Sequence, residues 1–161
     1  MVFVVRLLAD GLMLPIVAIA GYSLLWCTPD RRRYDTYTYI LMAGITSYTL
    51  AKFAGALWQP ELRRPFEELG VSAGAAYLNN PGFPSDHTLF AGFLTFAVWY
   101  ATRSTLLTIA MAALSILVAV GRVAALVHTP LDVVGGFVFA CLGASWYLLH
   151  AARAKNNYAN N

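Results

Sequence analysis

The sequence predicts an all-α integral membrane bundle of about five transmembrane helices, and three observations carry that reading. Hydrophobic residues make up 59% of the 161-residue chain and charged residues only 12%, with a mean hydropathy of +0.60; soluble domains are nearer a quarter charged. The apolar residues gather in runs of about 20, the length a helix needs to cross a bilayer core. The basic residues gather in alternate connections between those runs. By length the chain is one domain, residues 1–161. A net charge of only +3, with no single basic patch, argues against nucleic acid as a partner.

Taken in order, the spans run from about Val2 to Trp26, Tyr34 to Trp58, His87 to Ala101, Ser104 to Leu126 and Thr129 to His150. Arg6 and Asp10 interrupt the first run, so it lacks the layout of a signal peptide and reads as a retained helix. Leu24-Leu25-Trp26-Cys27 faintly resembles a lipoprotein signal, but Trp26 is too bulky for a cleavage site. Arg6 and Asp10 stand four apart and could pair within that helix; no chemistry is assigned to them. Cys27 and Cys141 lack metal-type spacing and read as buried small hydrophobes. The third span is short, so its ends should lie near the headgroups. Gly135, Gly136, Ala140 and Gly143 offer small surfaces for close helix packing. His150 reads as interfacial, and the polar tail from Lys155 to Asn161 as frayed.

The connections set the topology. Arg31, Arg32 and Arg33 lie between the first two spans, Arg103 between the third and fourth, and Arg153 and Lys155 beyond the fifth. Lysine and arginine mark the cytoplasmic side, which places the N-terminus outside and the C-terminus in the cytoplasm; Arg6 alone opposes this count. The long segment 59–86 and the Val127-His128 corner then face outward. At about 28 residues that segment exceeds an ordinary connector. Pro60 stops the second span, and Pro65 suits the first turn of a short interfacial helix reaching Leu69. Phe66, Tyr77 and Phe83 suit the aromatic belt of a membrane interface. A lid that admits lipid and a merely structural loop fit this segment equally well.

Two polar knots stand out against the apolar background: Pro84-Ser85-Asp86-His87, and Gly121-Arg122 followed by His128 and Asp132. Ionisable groups inside hydrophobic sequence are functional-site candidates by default. The topology brings Lys52, Arg63, Arg64, Ser85, Asp86, His87, Arg122, His128 and Asp132 to one face. Arginine suits bidentate contacts to phosphate, and lysine supplies a movable point charge. The knot before the third span would add the free N–H groups and positive dipole end of a helix N-terminus. A neutral imidazole is a competent nucleophile at phosphorus, a carboxylate one turn away can orient it, and a second imidazole can protonate a departing oxygen. His128, Asp132 and His87 fit those three roles. Each piece also has a plainer reading. Asp132 could cap the fifth helix, Ser85 or Asp86 could cap the third, and Lys52 could snorkel to the interface. Arg63 and Arg64 could answer Glu61, Glu67, Glu68 or lipid headgroups.

These residues resemble the type 2 phosphatidic acid phosphatases, membrane relatives of bacterial acid phosphatases and vanadium haloperoxidases. The family pattern is Lys-x6-Arg-Pro, then Pro-Ser-Gly-His, then Ser-Arg-x5-His-x3-Asp. Here Gly121 replaces the leading serine of the third part, and Asp86 replaces the glycine of the second. In the first, Arg64-Pro65 matches, but Leu57 stands at the lysine position and Lys52 lies five residues before it. The resemblance covers about half of the chain, roughly Lys52 to Asp132. It implies His128 as the nucleophile forming a phosphohistidine, Asp132 as its orienting partner and His87 as general acid. It implies Arg122, Arg64 and Ser85 as phosphate holders, with Lys52 in the lysine role and Arg63 as a fallback. Asp86 would modulate the site by helping to keep His87 protonated.

The form Phe83-Pro84-Ser85-Asp86-His87-Thr88 is similar to the bacterial branch that dephosphorylates undecaprenyl pyrophosphate. The resemblance therefore implies a lipid phosphatase working without metal or cofactor in the bacterial inner membrane. Its site would face the extracytoplasmic side, with a lipid phosphate and the bilayer as its partners. Phosphatidylglycerophosphate, phosphatidic acid and a lipid A-type glycolipid are alternative substrates. A lipid-phosphate binder or transport component without catalysis is the alternative from another class. Oligomeric state is not readable from the sequence.

Overall fold

The computed structural model describes residues 2–30, 33–60 and 63–159. Among the described residues the chain is helical throughout, with no strand. Helix α1 (Val2–Arg6) passes through a π-helical turn (Leu7–Gly11) into α2 (Met13–Trp26), making one continuous apolar segment. Helix α3 (Arg33–Leu57) follows a connection pinned by Arg33, whose guanidinium donates to the carbonyls of Leu25 (3.1 Å) and Thr28 (3.2 Å). Pro65 opens the single turn α4 (Pro65–Glu68), where the Glu67 carboxylate accepts from the backbone N–H of Arg64 at 2.8 Å. Helix α5 (Asp86–Thr102) ends at Arg103, in the left-handed region at φ 55. Ser104 then caps α6 (Thr105–Ala124) by accepting from Leu107 N, and α7 (Pro130–Ala159) closes the chain.

Helix α5 is the axis of the bundle. Ala91, Ala97 and Val98 have no exposed surface, and α7, α6, α2 and α3 pack around them. Ile16, Ala20, Leu94, Met111 and Val118 complete one apolar cluster; Ile40, Ala43, Tyr100 and Tyr147 form another on the α3–α7 side. Small residues on α7 allow the close approach. A methyl group built on Gly136 would collide with the Thr88 hydroxyl and Ser85 carbonyl, and one on Gly143 with the Ser47 hydroxyl and Ala43 carbonyl. The outer faces carry large apolar side chains such as Leu14, Leu106 and Ile109. That surface suits a hydrocarbon solvent rather than water. Four segments are long and apolar enough to cross a membrane: Val2–Trp26, Arg33–Leu57, Thr105–Ala124 and Pro130–Arg153. Helix α5, at 17 residues, is shorter than these, in line with the short third run of the sequence.

Several local expectations change. Cys27 and Cys141 are free but exposed rather than buried: Cys27 follows the end of α2 and Cys141 lies on α7, where an outward position among apolar neighbours satisfies a small side chain as well as a core does. Phe66 is buried against Ala75, Ala125 and Val127 instead of joining an interfacial belt. The tail expected to fray continues α7 as far as Ala159. Arg31, Arg32 and Glu61 lie outside the described residues. Chain direction alternates, so the ends of α3 and α6 and the starts of α5 and α7 share one end of the bundle with the π turn. Arg33, Arg103 and Arg153 lie at the other end.

Candidate active site

At the shared end a cavity of about 390 Å³ opens, lined by Lys52, Arg64, Asp86, His87, Arg122 and His128 together with the loop residues 76–78 and 80–84. Four helix termini and a corner supply those side chains, so the site exists only when the bundle is assembled. His87 is in the first turn of α5, Arg122 in the last turn of α6, and His128 on the corner between α6 and α7. The corner turns at Leu126, left-handed at φ 60, and the Leu126 carbonyl accepts from Phe66 N at 3.0 Å.

His128 is nearly enclosed, and its Nδ1 lies 3.4 Å from Asp132 Oδ2. That is long for a formed hydrogen bond, a common state for catalytic pairs without substrate. The same carboxylate oxygen accepts from Thr129 N at 2.8 Å, while Asp132 N donates to Thr129 Oγ1 at 3.2 Å. Asp132 is therefore both the cap of α7 and the neighbour of His128; the two readings of the sequence coincide. Burial pushes the pKa of His128 below the usual imidazole range and the cations Arg122 and Arg64 push the same way, while the Asp132 contact opposes them. The imidazole is thus held neutral. With Nδ1 turned to the carboxylate, Nε2 is the nitrogen left for chemistry.

Arg122 is almost wholly buried. Its Nη1 donates to Asp10 Oδ1 (2.8 Å) and to the Ala76 carbonyl (2.7 Å), while its Nε has no partner. Arg64 reaches the corner by donating from Nη1 to the Val127 carbonyl. Its Nη2 holds the loop through Leu78 O (3.2 Å) and through Asn80 O and Oδ1 (both 3.1 Å). Arg64 thus braces the cavity wall as well as lining it. Ser85 is fully buried; its N–H donates to Asp132 O at 3.0 Å and its hydroxyl has no partner. The Ser85 side chain does not line the cavity.

Lys52 lines the cavity, but its ammonium is held by both oxygens of Asp86, at 2.7 and 2.8 Å. Besides its place next to His87, the Asp86 carboxylate is engaged by Lys52, because α3 passes beside the first turn of α5. Arg63 is exposed and off the cavity. Asp10 is the residue that reading the sequence missed. Instead of pairing with Arg6, it bonds Arg122, accepts from Ala76 N at 2.9 Å and lies 3.9 Å from His87 Nε2. An aspartate inside an apolar span was the available signal; its partner, 112 residues away, was not.

Among the described residues no group of three or more histidine, cysteine, aspartate or glutamate side chains is placed to hold a metal ion. A membrane-embedded helical bundle with a cationic, histidine-bearing pocket at the helix ends is the class defined by this geometry. Residues 33–156 match the PAP2 superfamily, and the chain belongs to that family. Its members are phosphatases, so membership supports a phosphoric ester hydrolase in general terms. No individual curated protein and no solved structure matches the chain significantly.

Proposed function

We propose that this protein is a membrane lipid phosphatase that removes a phosphate from a polyprenyl pyrophosphate such as undecaprenyl pyrophosphate. The observation that carries the reading is the placement of His87 and His128 on one cavity with Arg122, Arg64 and Lys52, His128 being backed by Asp132. His128 Nε2 attacks the terminal phosphorus, and the bond to the bridging oxygen breaks as His87 delivers a proton to it. Polyprenyl monophosphate leaves, and the phosphoryl group stays on His128. Water, deprotonated by His87, then attacks the phosphorus, breaking the P–N bond and releasing phosphate. The cations neutralise the charge on the transferring group, which is most of what phosphoryl transfer requires.

The lipid part of the reading rests on a second feature. An apolar groove of about 680 Å³ runs between α3 and α5, lined by Ile40, Leu41, Ile45, Leu89, Phe90 and Phe93, and ends at Asp86 beside the cavity. A lipid tail in that groove would present its headgroup to the histidines. The pyrophosphate preference rests on the similarity of residues 83–88 to the branch named above. The basic end of the bundle, with Arg33, Arg103 and Arg153, reads as cytoplasmic, which supports a pocket on the extracytoplasmic side of a bacterial inner membrane.

The test is phosphate release by the purified full-length protein from a panel of lipid pyrophosphates and monophosphates. Undecaprenyl pyrophosphate should be turned over fastest, and His128→Ala should lower kcat on the order of 10³-fold or more with the fold retained. Equal turnover by His128→Ala would end the nucleophile assignment. Faster turnover of phosphatidylglycerophosphate or phosphatidic acid would reassign the substrate. Binding without release by the wild type would favour a lipid-phosphate binder.

A further inference from the structure

The π turn Leu7–Gly11 carries an aspartate up to the cavity-lining Arg122 and His87, from outside the stretch 33–156 that matches the family. Isolated π turns within helices are frequent at functional sites, and a carboxylate in an apolar span is expensive unless it is used. Asp10 makes three contacts with the site. It holds Nη1 of Arg122 at 2.8 Å, it receives the Ala76 N–H of the covering loop at 2.9 Å, and its Oδ1 lies 3.9 Å from His87 Nε2. The Arg122 contact leaves Nε of the guanidinium, buried and unpartnered, for an incoming anion.

We propose that Asp10 is a positioning residue of the phosphatase site, aiming Arg122 at the phosphate and stabilising the protonated form of His87 that gives its proton to the leaving oxygen. The proposal rests on the phosphatase reading and extends it to the N-terminal helix. The charged groups that face His87 are Asp86 on its own helix, Asp10 on the π turn, Arg122 on α6 and His128 on the α6–α7 corner. Burial works most strongly against an imidazolium at His87, Arg122 and His128 add to it, and Asp86, which favours it, is engaged by Lys52. Asp10 is the carboxylate left to offset Arg122. When phosphate binds, the same carboxylate keeps the guanidinium in place, and the anion and Asp10 together favour the proton on His87 that the leaving oxygen takes.

The test compares Asp10→Asn and Asp10→Glu in the full-length protein, measuring phosphate release from undecaprenyl pyrophosphate in detergent micelles across pH. Asparagine removes the charge and keeps one acceptor oxygen, which can serve Arg122 or the Ala76 N–H but not both as the two carboxylate oxygens do. The alkaline limb of kcat/KM, which reports the essential acid of the free enzyme, should move down by about one pH unit in Asp10→Asn. Asp10→Glu should return it to the wild-type position. An equal loss at every pH with the limb unmoved would mean a merely structural role and overturn the proposal, as would an unchanged profile. Asp10→Ser is the second neutral variant. If both neutral variants fail to fold while Asp10→Glu folds but is inactive, the proposal also falls. A wild-type protein that releases no phosphate from any lipid would instead sink the phosphatase reading itself.

Discussion

The ammonium of Lys52 sits between the two carboxylate oxygens of Asp86, 2.7 Å from one and 2.8 Å from the other. Both residues belong to departures from the pattern that the sequence resembles, a lysine five residues before its expected place and an aspartate in place of glycine. The departures meet each other. Both side chains are about 40% exposed, and a pair of that exposure adds little to stability. Its meaning is electrostatic: Asp86 cancels most of the charge that Lys52 brings to the cavity.

Residues in contact act non-additively, so a double-mutant cycle should reveal the pair. Lys52→Met leaves Asp86 unpaired beside the phosphate position and should lower kcat/KM roughly tenfold. The double variant Lys52→Met/Asp86→Gly should recover most of that loss, since it removes the repulsive carboxylate as well. Additive losses in phosphate-release assays would mean that the pair has no shared role.

Asp132 both caps α7 and faces His128, and one substitution separates the functions. Asp132→Asn keeps an oxygen able to accept from Thr129 N but cannot stabilise an imidazolium. Activity should fall on the order of 10²- to 10⁴-fold, while helix content and the unfolding midpoint change little. A loss of fold matching the loss of rate would assign Asp132 to capping alone.

The pH profile follows from the neutral state of His128. Burial and the neighbouring Arg122 and Arg64 hold its pKa below the free-imidazole value, so the nucleophile stays unprotonated where a free histidine would be charged. The acid limb of kcat/KM should therefore lie below about pH 6.5. Arg64→Gln removes a cation that disfavours the imidazolium and should move that limb up. Asp132→Asn removes a carboxylate that favours it and should move the limb down. The unfolded chain takes up this proton first as pH falls, so acidification through that range should also lower stability. Limbs that move together in the two variants would contradict the assignment.

Gly143 of α7 packs against Ser47 and the Ala43 carbonyl of α3. Backbone cannot give way as a flexible side chain can, so Gly143→Val should overpack the interface and destabilise by about 1–3 kcal/mol. A lowered thermal midpoint in detergent, with kcat per folded molecule retained, is the expected result. An unchanged midpoint would show that the two helices separate easily.

The sequence by itself determined the helical membrane class, the small faces of α7 and the residues of the two knots. Each of these is written in local composition or in spacings within a turn or two of helix. His128 and Asp132, four apart with a proline between them, could be paired on that basis alone. The tertiary structure decided which charges oppose which. Asp10 meets Arg122 and Lys52 meets Asp86 across 112 and 34 positions of chain, and the packing of α3, α5, α6 and the first helix sets both meetings. No local period encodes such pairs, since each aspartate had a nearer candidate, Arg6 for Asp10 and His87 for Asp86. The assembled bundle gave both carboxylates cations that only folding brings within reach.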